Sequence, residues 1–85
     1  MFENIGADLY KTWSEEQRRL EIGRLVEGYR NGLALKVLLQ MATGIAGSPE
    51  AARDHLVDLI PAEDRHIMVT RQKGEDQALA ASFLM

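Results

Sequence analysis

GLALKVLLQMATGIAG, residues 32–47, holds a single charge, Lys36, in sixteen residues. Lys36, Gln40, Thr43 and Gly47 fall on one narrow line at helical spacing, and the rest of the cylinder is apolar or small. A helix of that kind is expected to be buried on nearly all sides. Bilayer crossing takes about 20 mostly apolar residues. This run is shorter and is interrupted by Lys36 and Gln40, so burial inside protein is the reading. Ala42, Gly44 and Ala46 would let a neighbouring backbone approach closely.

Working outward, Asn31-Gly32 closes the preceding segment, because glycine past a periodic run favours the left-handed C-cap. That segment is SEEQRRLEIGRLVEGYR. Ser14 with Gln17 three residues on forms a capping-box pattern. Ile22, Leu25, Val26 and Tyr29 make one apolar stripe. Glu15–Arg19, Glu21–Arg24 and Glu27–Arg30 sit at helix-neighbour spacing on the remaining surface. Gly23 and Gly28 each weaken the helix by about 1 kcal/mol relative to alanine, and are expected where another helix comes close. Arg18 and Arg19, among Glu15, Glu16 and Glu21, read as ion-paired surface.

Nearer the N-terminus the apolar pattern changes face. Phe2, Ile5, Leu9, Trp13 and Leu20 would share a side nearly opposite the Ile22–Tyr29 stripe if the helix were continuous. Ser14 offers a cap, so a break near Thr12–Ser14 with a separate short helix over 3–11 is preferred.

On the other side, Gly47-Ser48-Pro49-Glu50 ends one helix and starts another. Ser48 suits the N-cap, Pro49 the first helical position, and Glu50 the positive end of the dipole. Ala52, Leu56, Leu59 and Ile60 form the inward stripe. Pro61 ends this helix or starts the next turn. Residues 62–73 read either as a fourth helix with Ile67 and Met68 inward, or as a strand over HIMVT paired with DLYKTW. An isolated two-stranded pair is marginal, which favours the helix. Gly74 breaks the chain again, and the last segment places Leu79 and Phe83 on one side, with ASFLM docked on the core.

These segments predict an all-α fold, a compact bundle of four to five short helices around a central apolar helix at about 33–46. The 85 residues are read as one helical domain, 1–85. A core of this size yields only a few kcal/mol, roughly 3–5. A two-fold homodimer would be the simplest way to add buried area.

Function is constrained mainly by exclusion. There are no cysteines, which removes disulfides, thiolate metal sites and cysteine nucleophiles and suits a cytoplasmic, reducing setting. MFENIGADLY has no basic n-region and does not read as a signal peptide. His55, with Asp54 and Asp58 on one side of a helix, and His66 match no strong metal spacing, and are read as polar surface residues. No cofactor, metal or catalytic constellation is expected, and the protein is not read as an enzyme.

Net charge is −3, with residues 14–31 neutral (four acids, four arginines) and 48–60 at −2. This argues against a nucleic-acid backbone footprint, which needs clustered Lys and Arg. The leading expectation is a helical module that binds another protein as adaptor, regulator or inhibitor. The face of Phe2, Leu9, Trp13 and Leu20 is either folded back on the core, the commoner case, or offered to a partner as protein-contact residues. The alternative is a small helix-turn-helix DNA-binding regulator, its turn at TGIAGSPE and its recognition helix over Pro49–Ile60. Its DNA contacts would then come from the Arg65–Lys73 segment, because Pro49–Ile60 offers one arginine against three acids.

Overall fold

Capping signals delimit the helices where the sequence places them. The computed structural model describes residues 10–85, and these form five helices and no strand: α1 Glu15–Arg30, α2 Leu35–Ala46, α3 Pro49–Leu59, α4 Ala62–Thr70 and α5 Glu75–Leu84. At the start of α1 the capping box closes in both directions, Gln17 N–H to Ser14 Oγ at 3.2 Å and Ser14 N–H to Gln17 Oε1 at 3.0 Å. Its end is a Schellman motif. Leu33 N–H reaches back to Gly28 O at 2.8 Å and Gly32 N–H to Tyr29 O at 3.1 Å. Gly32 sits at φ +116°, a conformation that only glycine adopts cheaply. At the other end of α2, Gly47 is left-handed and its N–H bonds Thr43 O. Ser48 then caps α3 through Ala51 N–H at 3.1 Å. Residues 62–70 are helical, so the strand over HIMVT does not form.

The core is one cluster. Ile22 and Val26 come from α1; Leu35, Leu38, Leu39, Ala42 and Ile45 from α2; Ala52 and Leu56 from α3. Ile60, Met68 and Val69, then Ala80, Phe83 and Leu84, complete it. The C-terminal tail is thus docked through Phe83 and Leu84, with Ser82 and Met85 left outside. The α2 helix is central, packed against α1, α3 and α5, while α4 packs chiefly on α5.

That arrangement corrects three expectations. The α2 helix is not wrapped all round: Val37 and Met41 are exposed, and Gly44 faces open space. Short helices cover three sides, and α4 lies on α5 rather than closing the fourth. Ile67 points outward and Val69 inward beside Met68. Nor do Gly23 and Gly28 receive a neighbouring helix. A Cβ at Gly23 would meet nothing within 4 Å, and one at Gly28 would meet only Leu33, 3.5 Å away in the following turn.

Candidate protein-contact surface

Two arginines hold the ends of helices in this small bundle. The last carbonyls of a helix lack intrahelical partners. Arg18, on the first turn of α1, directs its guanidinium at three carbonyls: Trp13 O at 3.3 Å, Tyr10 O at 2.6 Å and Ile45 O near the end of α2. Arg65, on α4, serves Leu84 O at 3.1 Å, Val57 O at 2.8 Å and Ile60 O at 2.6 Å. These half-buried residues are fasteners with planar donor forks suited to several acceptors. Among the described residues Arg18 therefore binds carbonyls rather than pairing with its acidic neighbours. The periodicity of α1 carries no sign of this, because the acceptors are backbone atoms from distant segments.

Arg19, one residue on, behaves as expected of surface: it pairs with Asp58 of α3. Glu21–Arg24 and Glu27–Arg30 also pair, at 3.4 and 3.7 Å. Glu15 does not join Arg19. It lies 3.2 Å from His55 Nε2, whose side chain is only 14% exposed. His55 thus bridges α3 to the first turn of α1, a correction to its reading as a solvated residue. Among the described residues no group of three His, Asp or Glu side chains is placed to hold a metal ion, and no buried side-chain polar atom lacks a partner.

Of the four expected contact residues, Phe2 and Leu9 lie outside the described residues, as does most of the helix expected over 3–11. Trp13 is half-buried against the core, its ring set edge-on to Tyr10 with centroids 4.8 Å apart. Leu20 is 61% exposed. The structure brings these two together: they line one shallow depression with Gln17 and Arg24. A second depression adjoins it on the other side of Leu20, floored by Gly23 and Leu59 and rimmed by Glu16, Arg19, Arg24 and Glu27. The absent side chain of Gly23 makes this groove. Gly23 is its signal in the sequence, where it reads as a place of close approach by another helix.

Three further features bear on function. Val37 and Met41 form a second exposed apolar strip, on α2. A cleft between α1 and α4 is lined by Val26, Tyr29, Ile67, Met68 and Arg71 among others. At the α2–α3 junction the solvent side of α3 carries Glu50, Arg53, Asp54 and Asp58, three acids to one arginine. Phosphate would be repelled there, and Arg65 is engaged by carbonyls rather than free to reach DNA.

Among the described residues no helix is long and apolar enough to cross a membrane. Compared with known protein families, curated proteins and solved structures, the chain matches none.

Proposed function

We propose that this protein is a small helical interaction module that acts by binding another protein and performs no chemistry of its own. The observation that carries the reading is Leu20: a large apolar side chain, 61% exposed, standing between two depressions. Trp13 and Leu59 flank it, and acids and arginines alternate around the rim. Interface patches have this composition, with an apolar centre inside a polar border. A cysteine-free chain acting this way fits the cytoplasm.

A photo-crosslinking amino acid placed at position 20 in cells tests it, with exposed Glu63 on α4 as the reference position. Protein adducts are expected at 20 and not at 63. Equal or no adduct at the two positions would remove the proposal, as would turnover of a small molecule by the purified protein.

A further inference from the structure

Resting on that reading, we propose that the occupant of the α1 groove is a second copy of this chain, its α1 packed antiparallel about a two-fold axis at Gly23. Charge selects both the occupant and the register. Glu16, Arg19, Leu20, Gly23, Glu27 and Arg30 lie on one strip of α1, by their spacing of three and four. In a two-fold contact residue i meets j and j meets i. With the axis at Gly23, Arg19 of each copy faces Glu27 of the other, and Glu16 faces Arg30. These four charges then meet their opposites across a contact about 21 Å long at 1.5 Å per residue, while Arg24 of the rim falls beside the axis and meets no acid.

Other alignments fail on the same strip. A parallel two-fold pairing sets each charge against its own copy. An antiparallel pairing shifted to place Leu20 on Gly23 of the second copy sets Arg19 against Arg24 and Glu16 against Glu27. Both registers oppose like charges, which destabilises helix pairs.

Shape agrees with charge at the crossing point. A Cβ at Gly23 would meet nothing within 4 Å, so the two backbones can approach closely there, and Leu20 of each copy has the open floor beside Gly23 and Leu59 of the other to enter. The exposed pairs that Arg19 makes with Asp58, and Arg30 with Glu27 and Asp64, are weak enough to rearrange. The interface is small, so the dimer is a weak one.

The test is light scattering across protein concentration, with charge reversals mixed between chains. Wild type is expected to rise from 9.5 kDa toward twice that mass. Arg19→Glu alone gives a chain with three acids on the strip, and Glu27→Arg alone one with three arginines; each is expected to self-associate about tenfold more weakly. An equimolar mixture restores both cross-pairs, so heterodimer at wild-type strength is expected, a rescue that altered folding of either chain would not produce. A wild-type mass constant at 9.5 kDa would overturn the proposal. So would single variants that associate like wild type, or a mixture that stays monomeric. If wild type is monomeric while position 20 still crosslinks to a different protein, the interaction reading survives and the second copy is eliminated.

Discussion

The α1 and α2 helices are neighbours in the bundle and divide its work unequally. Of the 16 residues of α1, Ile22 and Val26 are buried; of the 12 of α2, five are. The α2 helix lends the core more side chains than any other helix and stands between three others. The α1 helix lays one stripe on it and keeps the remaining surface charged. A single chain this small can place only one helix at its centre, so the helix packed beside it retains a free face. That face carries Leu20 and the groove beside it. Stability should therefore respond to α2, and association to α1.

The sharpest way to break this division is Leu38→Ala. Leu38 on α2 is fully buried, and truncating a core leucine costs about 2–5 kcal/mol through lost transfer energy and the cavity left behind. A core of this size supplies only roughly 3–5 kcal/mol, so the variant is expected to be largely unfolded at room temperature. Far-ultraviolet circular dichroism during urea titration reads this directly. A midpoint within experimental error of wild type would mean that α2 is not the centre of the fold.

A smaller effect comes from two adjacent residues of α1 with opposite roles. Arg18→Ala leaves Tyr10 O, Trp13 O and Ile45 O without their charged donor. Hydrogen bonds from charged groups are worth more than neutral ones, so a loss of about 2 kcal/mol is expected. Arg19→Ala removes a pair with Asp58 that is half exposed on both sides, for which less than about 1 kcal/mol is expected. Thermal melts of the two variants should separate clearly, with Arg18→Lys recovering only part of the loss because an ammonium lacks the planar fork. Equal melting temperatures for Arg18→Ala and Arg19→Ala would place Arg18 back on the surface.

These two arginines also mark the limit of what the chain's pattern discloses. Ser14, Gly32, Gly47 and Ser48 are legible because a cap is written within a few residues: the acceptor, the donor and the special φ are all local. The apolar stripes of α1 and α3 are legible for the same reason, since 3.6-residue periodicity selects the buried face. Whether an apolar position on α2 is covered is a different matter. Val37 and Met41 look as buriable as Leu38, and they are exposed because α4 packs on α5 instead. Arg18 reaching Ile45 O, and Glu15 turning from Arg19 to His55, depend on contacts 27 and 40 residues away along the chain. The contact surface lies between these cases. Trp13 and Leu20 are visible in the sequence as apolar residues off the main stripe, but the groove beside Leu20 needs Leu59 brought in from α3.

Gly23→Ala tests the finest point of the comparison, because its effects on fold and on contact should have opposite signs. Alanine is favoured over glycine inside a helix by about 1 kcal/mol, and at Gly23 the added methyl meets no neighbour within 4 Å. Its backbone is ordinary helix without a positive φ, unlike Gly32. The isolated chain should therefore gain up to about 1 kcal/mol in urea denaturation. In the two-fold contact the same methyl enters where the two α1 backbones approach most closely, so self-association should weaken although each chain is more stable. If the substitution destabilises the chain, Gly23 serves packing within one copy, and α1 has no free face of the kind described. If it stabilises the chain and leaves association unchanged, the axis does not pass through Gly23.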